Sequence, residues 1–171
     1  MLLPANCRYA WYTPIPWNEA GTIACCRAHR PLWEPDEHGE PPLCRCPGEE
    51  AYRFHWSSSF DGHATVRIVR QGDEVVLHWS YFPFHRGHGV ASLTMSDWER
   101  LQEALTLASF WLLDPRNDLF GLDGATWTIE GRCKGSFQVV ARWSPEGGGF
   151  HNLGSLFFAL AGQPLSGIKL Y

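Results

Sequence analysis

Cys26-x-x-His29 followed by Cys44-x-Cys46 is the constellation in this sequence best suited to holding a metal ion. Three thiolates and an imidazole can close a tetrahedral zinc site, and the binding free energy of such a site becomes folding free energy. That chemistry would suit a proline-rich segment with few apolar contacts of its own, and Cys7 and Cys25 lie near enough in sequence to serve as alternate ligands. Such a zinc would be structural, and no other cofactor is expected. Cys-x-Cys and a 14-residue spacer do not make the paired Cys-x-x-Cys knuckles that mark zinc modules. Unrelated thiols, or a disulfide in an oxidising setting, are the competing reading.

A second group, His78, His85 and His88, could bring imidazoles together as metal ligands or as a general base, although most such clusters are solvated loop tips. Ser57-Ser58-Ser59 lie close in sequence to Asp61 and His63, but a triad is a spatial arrangement and turn chemistry explains Asp61-Gly62 well. Asp123 and Glu130 are further carboxylates. Arg142 and Lys134 are natural ion-pair partners for them, and Asp123, between Gly121 and Gly124, suits bonding to local backbone amides. A Gly-x-Ser-x-Gly elbow, a phosphate-cradling loop, a dinucleotide-binding turn and a His-Glu-x-x-His helix are all absent from the sequence, which lowers the expectation of an enzyme.

The elements that must position these groups fall into two regions. Residues 1–50 hold eight of the 12 Pro and five of the six Cys, with seven acids against four Arg and no alternating apolar run. This reads as an irregular Pro/Cys-rich arm, packed on the body through Trp11, Tyr12, Trp17, Leu32 and Trp33. Residues 51–171 read as an α+β domain. Tyr52, Phe54 and Trp56 alternate with polar neighbours as one strand, Val66 and Ile68 mark a second, Val75–Phe82 a third, and Val90–Thr94 a short fourth or an extended approach to a helix.

Ser96 and Glu99 have capping-box spacing. Trp98, Leu101, Leu105, Ala108 and Leu112 then recur at helical steps, with the helix expected to end near Leu113. Next comes a hairpin with a five-residue loop, Gly131–Gly135, in which the apolar set Ala125, Trp127 and Ile129 joins Phe137, Val139, Ala141 and Trp143 on one face. Leu153, Leu156, Phe157 and Leu160 make a second helix. The expected fold is an antiparallel sheet of five to six strands in the order βββ(β)αββα, with both helices on one face.

The hairpin carries a resemblance. Gly-Leu-Asp-Gly-x-x-Trp-x-x-Glu-Gly at 121–131 and Arg-Trp-Ser-Pro at 142–145, with Tyr52-Arg53-Phe54-x-Trp56, the Trp98 helix and Phe110-Trp111, resemble a family of small bacterial proteins over residues 51–162. The resemblance implies relatedness and a shared body, and it carries over no catalytic residue. His55 and Ser57-Ser58-Ser59 depart from the more apolar opening of that pattern, and residues 1–50 lie outside it.

Net charge is −4 over 171 residues, which disfavours a nucleic-acid partner and suits a basic protein surface. No apolar run reaches bilayer length, and Met1-Leu2-Leu3 passes at once into Pro4, Cys7 and Arg8, so neither a membrane span nor a signal core is expected and the chain reads as cytoplasmic. Nine Trp and ten Phe exceed what the core of such a chain needs. Together these features point to a non-enzymatic binding protein, most specifically an immunity-type inhibitor that neutralises a cognate bacterial toxin. Trp11, Trp17 and Trp33, with Asp36 and Glu37, are the expected contact residues, since aromatic anchors dominate tight interfaces and complementary charge speeds encounter. A zinc-stabilised module or a metal-dependent hydrolase is the alternative.

Overall fold

Alternation in the strands decides which side chains meet the helices. In the computed structural model, which describes Leu43 and residues 49–82, 87–115, 121, 123–134, 136–162, 165, 168 and 170, β1 (Glu50–Ser58) lies at the centre of a six-stranded sheet. β2 (Gly62–Gln71), β3 (Glu74–Phe82) and β4 (Gly87–Leu93) meander away on one side, while β5 (Ala125–Cys133) and β6 (Ser136–Trp143) form a hairpin on the other. The order is β4-β3-β2-β1-β5-β6, with every neighbouring pair antiparallel. Among the described residues two helices, α1 (Met95–Leu107) and α2 (Gly148–Ala161), complete an α+β fold. Neither is long and apolar enough to cross a membrane.

Both helices pack on the face formed by Tyr52, Phe54, Trp56, Val66, Ile68, Leu77, Trp127 and Ile129, to which they contribute Trp98, Leu101 and Leu105 from α1 and Leu153, Phe157 and Phe158 from α2. These side chains exclude water from one continuous core, at roughly 25 cal/mol per Å² of apolar area buried. Phe54 sits at its centre, with ring centroids 5.1 Å from Trp127, 5.9 Å from Phe157 and 5.3 Å from Phe158.

The opposite face is built differently. Arg53, Arg67, Arg132, Glu130, Thr65 and Thr128 are buried there, and Leu43 packs with Ala51, Val69 and Phe137. Arg53 and Glu130 stand directly opposite each other on β1 and β5, and Arg53 Nη2 donates to Glu130 Oε2 at 2.5 Å. Glu130 is therefore matched with Arg53, not with Arg142 or Lys134. Sequence spacing favoured partners within the hairpin; cross-strand register brings in one 77 residues away.

Three local expectations are corrected. The helix cap is Thr94, whose hydroxyl accepts from Asp97 N at 3.1 Å while the Asp97 carboxylate accepts from Thr94 N at 3.1 Å, so the capping box starts two residues before Ser96. The Thr94 hydroxyl also donates to Asp97 Oδ2 at 2.7 Å, and this bond, followed by that from Thr94 N, holds the Asp97 carboxyl below the usual range more than the neighbouring Arg100 does. The helix ends at Leu107, and a left-handed Ser109 (φ +49°) turns the chain into a short 3-10 segment, Phe110–Leu112, that buries Phe110 and Trp111.

The third correction concerns the hairpin. Its strands extend to Cys133 and Ser136, so the loop is two residues and not five. A one-residue change of register moves a whole strand's side chains to the other face. Trp127 therefore stands opposite Arg142 and Ile129 opposite Val140, while Phe137, Val139, Ala141 and Trp143 share the other face with Arg132, Glu130, Thr128 and Thr126. The edge strand β6 is guarded by residues 113–115. Ala141 N donates to Pro115 O, Gln138 Nε2 to Leu113 O and Arg142 Nη2 to Asp114 O, at 2.8–2.9 Å.

Candidate functional site

Three loops converge at the end of the sheet where β1 finishes and β5 begins. Ser59 N donates to Gly124 O at 3.0 Å, tying the β1–β2 turn to the lead-in of β5. Ser144, just past β6, is tied to Ala125 twice: its backbone N donates to Ala125 O at 2.8 Å, and its Oγ accepts from Ala125 N at 3.0 Å. Gly124 has φ +149°, and a Cβ there would run into Ser144 Oγ, so this clasp needs glycine. The loops are fixed by backbone bonds, which is the preorganisation a binding site requires.

Between them opens a cavity of about 660 Å³, within the range of ligand-binding clefts. Phe60 from the β1–β2 turn, Asp123 from the lead-in of β5, Glu146 after β6 and His151 from the first turns of α2 all line it. The His151 ring stacks on the buried Trp127 with centroids 5.2 Å apart and planes at 24°, so one wall is anchored in the core. Phe60 is 70% exposed at the mouth. Ser144, His151 and Asp123 are the residue types of a hydrolytic triad, but the Ser144 hydroxyl is engaged by Ala125 N and the His151 ring by Trp127.

On the sheet face away from the helices, Ser57 Oγ and His63 Nδ1 are 2.8 Å apart, His55 Nδ1 and Thr65 Oγ1 are 2.9 Å apart, and the two imidazoles stack at 6.1 Å. Ser58 Oγ accepts from Phe60 N and Asp61 N, which gives the serine run its structural role in the turn. His78 and His88 share this face on β3 and β4, and His85 lies outside the described residues. Among the described residues no group of three or more His, Cys, Asp or Glu could hold a metal ion.

Burial pushes the Glu130 carboxyl above the ordinary glutamate range, with the Arg53 guanidinium opposing it. Burial likewise raises the Tyr52 phenol, which keeps that hydroxyl neutral in the core. Both are features of packing and lie away from the cavity.

The expected contact residues Trp11, Trp17, Trp33, Asp36 and Glu37, and the expected zinc ligands Cys26, His29, Cys44 and Cys46, lie outside the described residues. One cysteine is described: Cys133, fully buried at the end of β5, is disulfide-bonded. The other five, at positions 7, 25, 26, 44 and 46, all precede the body. Non-reducing peptide mapping is expected to recover Cys133 cross-linked to a peptide from residues 1–48. Recovery of Cys133 as a free thiol contradicts that, and a partner at Cys26, Cys44 or Cys46 breaks the four-ligand zinc set.

Glu146, His151, Phe60 and Ser144 were not among the sequence-derived site residues. Ser144 and Glu146 had a signal only as part of, or beside, the Arg-Trp-Ser-Pro motif and the glycine run after it, and Phe60 and His151 had none, since the cavity exists only once the three loops are brought together. No protein-family model matches the sequence, and no curated protein is similar to it.

Proposed function

We propose that this chain is a non-enzymatic protein-binding domain, an immunity-type inhibitor that neutralises a cognate bacterial toxin by direct contact. The observation that carries this reading is the open, acid-lined cavity held on cross-tied loops at one end of the sheet. Asp123 and Glu146 present negative charge there, with His151 but no Lys or Arg among the described lining residues, in a chain of net charge −4, and a basic partner surface is the natural complement. Phe60 at the mouth supplies an aromatic anchor of the type that dominates tight interfaces. Trp11, Trp17, Trp33, Asp36 and Glu37 are proposed to extend the same contact.

The buried disulfide at Cys133 favours an oxidising compartment over the cytoplasmic setting, because reducing cytoplasm keeps most thiols free. Purifying the chain together with the proteins encoded beside it tests the proposal. A stable one-to-one complex, with protection of cells from a neighbour-encoded toxin, is the expected result. Absence of both overturns it, as does turnover of a small substrate that is lost on changing Ser57, His63 or His151. Elemental analysis separates the alternative: one equivalent of zinc lost with Cys26, His29, Cys44 or Cys46 marks a zinc-stabilised module.

A further inference from the structure

We propose that the cavity between the β1–β2 turn, the lead-in of β5 and the start of α2 is a guanidinium pocket, filled by an arginine side chain of the partner protein. This rests on the binding-protein reading and identifies the chemistry by which the partner is recognised. Asp123 and Glu146 reach the cavity from separate loops, both are exposed, and neither is engaged in a hydrogen bond or ion pair with another described residue. Among the described residues the nearby guanidinium is committed elsewhere: Arg142 donates to the carbonyls of Ala141 and Asp114, and its guanidinium lies 5.6 Å from the Phe150 ring centroid.

The shape of the site selects among cations. No three His, Cys, Asp or Glu among the described residues converge closely enough for a metal ion, which needs its donors within a single coordination sphere. A guanidinium spreads its charge over a plane with five donors in a fixed fork, so it can address carboxylates on two loops at once. It also stacks flat on aromatic rings, which the exposed Phe60 at the mouth offers. Pro145 and Leu170 complete the lining with apolar surface suited to the methylenes of an arginine stem. A lysine ammonium is compact and strongly hydrated, and uses this geometry less well.

The test is a titration of the full chain followed through the backbone amide shifts of Phe60, Gly124 and Ser144, with L-argininamide, L-lysinamide and the neutral isostere L-citrullinamide as probes. Argininamide is expected to give saturable shifts with a millimolar dissociation constant, the scale set by so few heavy atoms. Lysinamide should bind more weakly and citrullinamide should give no saturable response. The D123N/E146Q variant should lose about tenfold or more, as expected for a lost charge-assisted hydrogen bond. The proposal is overturned by an absent argininamide response, by an equal response to citrullinamide, or by unchanged binding in the variant. A micromolar response to argininamide would assign the pocket to a free guanidino compound and overturn the partner side chain. Failure of the two readings is separable. Argininamide binding without any protein complex keeps the pocket chemistry and sinks the inhibitor, whereas a complex unaffected by D123N/E146Q does the reverse.

Discussion

Replacing Arg53 by Met is expected to lower the stability of the chain by about 3–5 kcal/mol, because it leaves the Glu130 carboxylate buried without its charge partner. Both side chains are almost fully excluded from water, at 2% and 4% exposure, so solvent cannot replace what Arg53 supplies. Replacing both members, as in R53M/E130L, should recover most of the loss, since paired apolar residues of similar volume often substitute for a buried ion pair at little cost.

The pH dependence gives the effect a sign. Burial raises the Glu130 carboxyl and Arg53 opposes that rise. A carboxyl raised in the folded state contributes stability that is fully present below its unfolded value, about 4.3, and lost as pH climbs through the folded value. Without Arg53 the folded value climbs further. The penalty of R53M, measured by chemical denaturation beside the parent chain, should therefore be smallest near the unfolded value and grow toward neutrality. A penalty independent of pH would show that the lost contribution is packing and not charge.

The second large effect belongs to Trp127. Truncation to Ala is expected to cost about 3–5 kcal/mol by removing a fully buried ring from the centre of the core. It also removes the ring on which the lining residue His151 stacks, so that wall of the cavity loses its anchor along with the stability. The same ring explains Gly154 on α2, where a Cβ would meet Trp127 Cε3 and Cζ3 at 2.6 Å and Phe54 Cζ at 3.3 Å. Glycine inside a helix ordinarily loses about 1 kcal/mol against Ala, yet G154A should destabilise here because overpacking costs typically about 1–3 kcal/mol. A smaller penalty for G154A in a W127L background than in the parent chain, measured by thermal unfolding, would identify the close approach as the cause. A stabilising G154A would refute it.

These residues also mark the limits of what sequence discloses. Tyr52, Phe54 and Trp56 on β1 and the stripes of both helices were legible because a single period, two or 3.6, places them on one face. The hairpin was legible as a hairpin, but the side its apolar residues take depends on whether two or five residues make the turn, and glycines at 131 and 135 allow either. Gly131 lies within β5. The Arg53–Glu130 pair could not be read from spacing, because it depends on β5 returning to β1 after β2, β3, β4 and α1 have been laid down.

The cavity is still less local. Asp123 was visible as a turn residue, but Phe60, Glu146 and His151 are ordinary loop and helix positions until backbone bonds among Ser59, Gly124, Ala125 and Ser144 bring their segments together. Conversely, the chemistry most visible in sequence, the Cys and His pattern of residues 1–50, lies outside the described residues. Cys133, the cysteine that stands alone in sequence, is the one whose bonding is defined.

Titration calorimetry of the purified chain against the neighbour-encoded protein it retains reads the proposed role most directly, using the parent chain and its D123N/E146Q variant. Tight one-to-one binding by the parent, weakened at least about tenfold when the two cavity carboxylates are neutralised, is the predicted outcome. No heat of binding to any such protein, from a chain whose cooperative unfolding shows it to be folded, would contradict it.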